Sequence, residues 1–268
     1  MSQKVVFITG ASSGIGKSIA EYLQNKNYKV YGTSRNPQNY PNSQVKLLAV
    51  DVLNSQSILA AVQEIISTEN RIDILINNAG AGITGALEEI PMDEIKKNFD
   101  TNLFGPIAVM KAVLPYMRKQ KSGLIINITS IAGYMGLPYR SVYSASKGAL
   151  ELITEALRME VKEFGIQITN VAPGDFSTNI AQGRYHAPLI QGSDYEKSYG
   201  KTLKLMNTHV DSGSNPIEMA EAVYKIITTP QPKIHYKVGA FLQKFSIVLK
   251  RILPDKVYEK MLMNHYKL

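Results

Sequence analysis

Residues 9–16, Thr-Gly-Ala-Ser-Ser-Gly-Ile-Gly, constrain this chain more than any other feature. They follow an apolar run over 4–9 and open an amphipathic stretch over 14–26, which makes them a strand-to-helix turn with three glycines. Gly10 permits a sharp turn, Gly14 lets backbone approach a diphosphate, and Gly16 lets the helix lie close to a sheet. Ser12, Ser13 and Ile15 complete the loop. A helix start offers free N–H groups and the positive end of a dipole, so it attracts phosphate. The spacing is G-x-x-x-G-x-G rather than the commoner G-x-G-x-x-G. The bland alternative is a turn with no ligand, and three glycines at the first turn of an alternating pattern argue against it.

The rest of the chain repeats that strand–helix alternation. Short β-rich apolar runs fall at 4–9, 28–34, 45–50, 72–77, 124–129, 166–171 and 234–238. Helical patterns lie near 14–26, 55–68, 92–120, 141–164 and 216–228. Several runs are apolar without alternation, as parallel strands covered on both faces require. The expectation is an α/β fold: one Rossmann-type, doubly wound parallel sheet flanked by helices, with residues 1–268 as a single domain. Residues 179–215 show little period and follow a strand's carboxyl end, so they read as a substrate lid.

Composition removes several chemistries. The chain has 268 residues, 44% of them hydrophobic, and no cysteine. Disulfides, thiolate metal sites and cysteine nucleophiles are therefore excluded. His186, His209, His235 and His265 are too scattered for a metal-ligand spacing, so no metal is expected. The net charge of +8 suits an anionic ligand or a membrane surface, yet forms no compact basic stripe, and nucleic acid is a poor partner. The first residues lack a signal-peptide core, and no run is long enough to span a bilayer. A cytoplasmic location is expected.

The dinucleotide can be narrowed. A free ribose 2′-OH is usually held by an acid about 20 residues after the glycines. No acid stands between Glu21 and Asp51, whereas Arg35 follows the second strand. A guanidinium there suits a 2′-phosphate, which favours NADP(H) and leaves NAD(H) open. Asp51 and Val52 end the third strand, where the carboxylate either accepts from the adenine amino group or caps the helix near Ser55.

Further motifs fall in order along the chain. Asn77-Asn78-Ala79-Gly80 follows the fourth strand, Thr101-Asn102 lies in the 92–120 helix, and Ser130 follows the fifth strand. Tyr143-Ser144-Ala145-Ser146-Lys147 opens a helix, and Pro173-Gly174, with Thr178 behind, follows the sixth strand. Tyr143 and Lys147 are four residues apart on one helix and share a face. A phenol is too weakly acidic to be a good base at neutral pH, and a nearby ammonium favours its phenolate. Tyr143 can then exchange a proton with a carbonyl or alcohol oxygen that Ser130 holds. Each of these residues also has a structural reading, as turn, strand end or helix interior.

In this ordered set the chain resembles the short-chain dehydrogenase/reductase family, over about residues 4–238, with a looser likeness to the subgroup of 17β-hydroxysteroid and retinol dehydrogenases. The resemblance implies that Lys147 also contacts the nicotinamide ribose and that Asn102 holds a water of a proton relay. It implies that Asn78, Ala79 and Gly80 line the cofactor cleft. Pro173, Gly174 and Thr178 would orient the nicotinamide carboxamide. It also implies a homo-oligomer through the helices near 92–120 and 141–164. The expected activity is NADP(H)-dependent interconversion of a carbonyl and an alcohol on a hydrophobic small molecule. An NAD-dependent dehydrogenase on the same site and a non-catalytic cofactor-binding regulator are the alternatives.

The C-terminal extension, 239–268, departs from the family's usual ending. Residues 233–268 hold eight Lys and Arg against two acids. Phe241, Leu242, Phe245, Val248, Leu249 and Ile252 form one apolar helical face, and Pro254 breaks the helix. That helix either packs on its own domain or a second subunit, or lies on an anionic membrane as a peripheral contact.

Overall fold

Strand β1 (Val5–Ile8) is buried along its whole length, and its side chains divide between two cores. Val5 and Phe7 join Leu75, Ile125 and Ile168 on one face of the sheet, while Val6 and Ile8 join Ile76, Ile126 and Val171 on the other. This split explains why the strands read as unbroken apolar runs: each residue has a helix layer above it, whichever way it points. The computed structural model describes residues 3–177, 183–211 and 213–268.

The remaining strands of the main sheet are β2 (Lys29–Ser34), β3 (Lys46–Ala49), β4 (Ile74–Asn77), β6 (Gly123–Ile128), β7 (Ile166–Pro173) and β9 (His235–Val238). They stand in the order β3-β2-β1-β4-β6-β7-β9, all pairs parallel. The order reverses at β1 and β4, and a crevice opens there at the carboxyl ends of the strands. Helices α2 (Ser55–Glu69), α4 (Gly105–Gln120) and α5 (Ser141–Glu160) cover one face; α1 (Gly14–Asn25) and α7 (Pro216–Thr228) cover the other.

The stretch 92–120 is not one helix. It divides into α3 (Met92–Phe99), a π turn (Asp100–Phe104) and α4. Pro106 lacks the N–H that an α-helix would direct at the carbonyl of Asn102, and the Asn102 side chain is bonded outside the helix, so the α ladder loosens there. Residues 141–164 likewise end α5 at Glu160 and finish in a one-turn 3₁₀ helix (Lys162–Phe164).

The segment 179–215 is more regular than its sequence pattern indicates. A short pair joins β5 (Ile83–Thr84) to β8 (Tyr185–His186), and α6 (Glu196–Asp211) follows. Its buried positions, Tyr199, Thr202 and Met206, keep a helical spacing but mix residue types, which hid the period. Residues 179–182 and 212 lie outside the described residues.

Helices α8 (Phe241–Ile252) and α9 (Asp255–Tyr266) end the chain. Ile247 and Tyr258 pack with Ile131, Met135 and Ala172, so one side of α8 docks on the chain's own domain. Leu249 joins this contact from the predicted face, whereas Phe241 and Leu242 are more than 70% exposed and Ile252 is 68% exposed.

Candidate active site

The glycine turn is held from beneath by hydrogen bonds that leave its upper surface bare. Thr9 Oγ1 accepts from the N–H groups of Asn78 and Ala79, both at 3.0 Å. Asn78 Nδ2 donates to the carbonyls of Thr9 (3.1 Å) and Gly10 (3.0 Å), and Gly10 N donates to Thr33 Oγ1 (3.0 Å). Gly10 and Gly14 have φ of 67° and 54°, in the left-handed region that disfavours side chains. A Cβ on Gly16 would lie 2.2 Å from Gly10 O, so only glycine brings α1 this close. Ser13 precedes α1 in an extended conformation without capping it, and the first turn carries no acid. The N-terminal amides are left for an anion.

This turn forms one wall of a cleft of about 570 Å³ that also takes in Arg35, Asp51, Val52, Asn78, Ala79, Gly80, Tyr143, Lys147 and Pro173. Ser12, Ser13 and Ile15 line it with the glycines. Arg35 and Asp51 stand together beyond the glycine turn, with Tyr143 and Lys147 across the sheet edge. These donors and the bare turn fit a dinucleotide. Asp51 does not cap α2: Asn54 does, accepting from Gln56 N and Ser57 N, while Asp51 Oδ1 accepts from Leu53 N. Gly174 stands behind the wall, with its N–H bonded to Val238 O (2.8 Å) and Gln243 Oε1 filling the space a side chain would need. Thr178 lies outside the described residues.

At the other end, Lys147 is buried and donates to Ile128 O at 3.0 Å. Burial pulls its ammonium below the usual lysine range, opposed by the nearby Tyr143 and Glu151. Ser130 caps the one-turn 3₁₀ helix Ile131–Tyr134, with Oγ accepting from Ala132 N (3.2 Å). A hydroxyl that accepts in this way keeps its own hydrogen free to donate. Asn102 is fully buried; Oδ1 accepts from Ala81 N (2.8 Å) and Nδ2 donates to Ala81 O (2.9 Å). Gly80 separates it from Lys147: a Cβ there would lie 3.1 Å from Asn102 Oδ1 and 3.2 Å from Lys147 Nζ.

A family model for short chain dehydrogenases matches residues 4–188. The chain belongs to the short-chain dehydrogenases/reductases. It is 43% identical over 267 residues to a 3-ketodihydrosphingosine reductase of Bacteroides thetaiotaomicron, covering 99% of both chains. It is 31% identical to human 17-beta-hydroxysteroid dehydrogenase type 1, covering 95% of this chain and 82% of that one. A short-chain dehydrogenase of Streptomyces avermitilis superposes with a TM-score of 0.84 at 30% identity, covering 99% and 97% of the two chains. The chain is thus an NAD(P)-dependent short-chain dehydrogenase/reductase, an oxidoreductase class that interconverts carbonyl and alcohol groups on small molecules.

Other residues of this short-chain dehydrogenase/reductase site gave no sequence signal. Thr33 supports the glycine turn but reads as an ordinary strand residue. Asn98 and Ser146 complete the buried network around Asn102. Glu151, one turn beyond Lys147, is buried and accepts from Thr129 Oγ1 at 2.9 Å. Burial pushes its carboxyl up to about 7.

Proposed function

We propose that the protein reduces a carbonyl, reversibly, on an apolar substrate with NADP(H). The observation that carries this reading is the meeting of Tyr143 and buried Lys147 in the same cleft as the bare glycine turn. The nicotinamide, when bound, supplies or takes up hydride. Tyr143 then gives the carbonyl oxygen its proton, or takes one from the alcohol. Ser130, whose oxygen already accepts from Ala132, donates to the same oxygen. Lys147 stabilises the phenolate with its positive charge and, by the family resemblance, would also contact the nicotinamide ribose. Asn102 holds the Ala81 backbone near Lys147, and by the family resemblance it would hold a relay water. Gly10 to Gly16 would hold the diphosphate, Asp51 and Val52 would border the adenine, and, by the family resemblance, Pro173, Gly174 and Thr178 would orient the carboxamide.

The phosphate-specific cofactor is supported by Arg35 in the cleft and by the missing acid after β2. The apolar substrate is supported by Ile83 and Tyr185, which line the cleft together with Tyr143. The names of the relatives, a 3-ketodihydrosphingosine reductase and a 17-beta-hydroxysteroid dehydrogenase, agree with it. Residues 1–268 act as one domain with 179–215 as the substrate lid. Exposed Phe104, Leu152 and Met159 on the α4–α5 side favour a homo-oligomer. Turnover in the Tyr143→Phe variant should fall about a thousandfold, with NADPH affinity kept within about twofold. Initial rates and cofactor fluorescence titration measure the two. Wild-type turnover in the variant refutes the assignment.

A peripheral membrane contact has its own support. Phe241, Leu242 and Ile252 stay exposed on α8, and exposed Arg251, Lys256 and Lys260 accompany them. Charge and apolar surface together match an anionic bilayer. Among the described residues no helix is long and apolar enough to cross one. The wild type should co-sediment with anionic vesicles, and a Phe241→Ser/Leu242→Ser variant should not. Equal recovery of both forms removes the membrane reading.

A further inference from the structure

Next to the proposed proton donor sits a buried cation that forms no ion pair among the described residues. Arg184, just before β8, is 8% exposed, and its Nη1 is buried with no hydrogen-bond partner. Its stem occupies the space that Gly82 leaves: a Cβ on Gly82 would lie 2.8 Å from Arg184 Cγ and 3.1 Å from Nε. Gly82 and Tyr185 both line the cleft. The charged and titratable groups facing Arg184 are Arg140, Tyr143, Asp175 and Tyr199. Arg140 is itself a cation, placed 4.9 Å over the Tyr143 ring. Asp175 is the single acid among these four, and its Oδ2 already accepts from Gln243 Nε2 at 2.6 Å. Among the described residues, neither arginine forms an ion pair.

Burying a guanidinium without a paired anion is costly, because its hydration is lost and a facing but unpaired carboxylate replaces only part of it. Guanidinium does not escape by giving up its proton under ordinary conditions. Here burial and the neighbouring Arg140 both weigh against its charge. Gly82, Gly183 and Tyr185 line the substrate cleft, so Arg184 stands directly behind its wall, and a ligand that reaches it there brings the missing charge. We infer that Arg184, with Arg140 beside it, binds an oxyanion of the substrate, a carboxylate or phosphate, carried close to the reacting carbonyl. The planar fork of the side chain matches either group through paired hydrogen bonds. The substrate is thereby an amphiphile: its apolar part meets Ile83 and Tyr185 in the cleft and its anionic head meets Arg184. This inference rests on the reductase reading above.

The test uses a matched set of ketones: an aliphatic keto acid, its methyl ester and the corresponding keto phosphonate, each assayed by NADPH oxidation with the full-length chain. The wild type should favour the acid or the phosphonate over the ester by about tenfold or more in kcat/KM, expressed mainly in KM. Which anion is preferred identifies the head group. Arg184→Gln should erase that preference, and Arg184→Lys should keep part of it. The wild-type comparison needs no variant, so it stands even if Arg184→Gln fails to fold. An ester turned over as well as both anions overturns the inference while leaving the reductase reading intact. So does an Arg184→Gln variant that slows acid and ester equally, or one that shifts the pH–rate profile of the ester, which would assign Arg184 to tuning Tyr143. If no member of the set is reduced, the reductase reading and this inference fall together.

Discussion

The two ends of the cleft are built on different terms. Around the glycine turn, backbone sets the shape: a single methyl on Gly16 would collide with the Gly10 carbonyl, and Thr9, Thr33 and Asn78 bind the strands from below. Around the substrate end, side chains set it. Among the described residues nothing stands within 4 Å of a Cβ on Gly183, Arg184 keeps an unpartnered nitrogen, and Glu151 is buried with its carboxyl pushed up to about 7. The cofactor end must fit one diphosphate in every turnover, and backbone contacts cannot be altered one residue at a time. The substrate end holds its charges and spaces in replaceable side chains, where specificity can change without disturbing the sheet.

Paired substitutions test that contrast most severely. Gly16→Ala should abolish measurable NADPH binding and lower the melting temperature by several degrees, because a backbone atom must move. Gly183→Ala should leave melting within about 1 °C of wild type, for lack of anything to strike. Similar losses in both variants would break the comparison. A smaller effect belongs to Arg35→Ala. NADPH affinity should fall about tenfold to a hundredfold and NADH affinity by less than about twofold, as isothermal titration would show. Equal weakening of both removes the 2′-phosphate contact.

The smallest effect concerns stability against pH. Burial raises the Glu151 carboxyl from 4.5 to about 7, so the folded protein binds its proton more tightly than the open chain does. The stabilisation from that proton is full below about 4.5 and disappears as pH rises through about 7. Glu151→Gln should flatten this part of the curve in denaturant titrations run from pH 4 to 8. A variant that keeps the wild-type slope places the titrating group elsewhere.

What could be read from the sequence follows the same division. The strands, the glycine turn and the Tyr143/Lys147 pair were legible because each rests on local rules: apolar runs, positive φ, and helical spacing. The π turn at Asp100–Phe104 was not, since besides Pro106 it depends on Asn102 bonding to Ala81, a partner 21 residues away. Helix α6 was hidden because its inner face mixes Tyr199, Thr202 and Met206. Asp51 and Asn54 are both plausible caps by type, and only the backbone path shows that Asn54 caps α2. Arg184 gave no local sign at all. Its meaning depends on Gly82, about a hundred residues earlier, and on Arg140 and Tyr143.

The strand order has a consequence for how the protein is made. Residues 5–77 supply β1 to β4, which are four adjacent strands. After that, β6, β7 and β9 add to the same edge in the order in which they leave the ribosome. Each new strand therefore meets a template already in place, and no earlier pairing has to be undone. Synthesis from the amino end can lay down the sheet like courses of brick, with β9 and the two C-terminal helices added last.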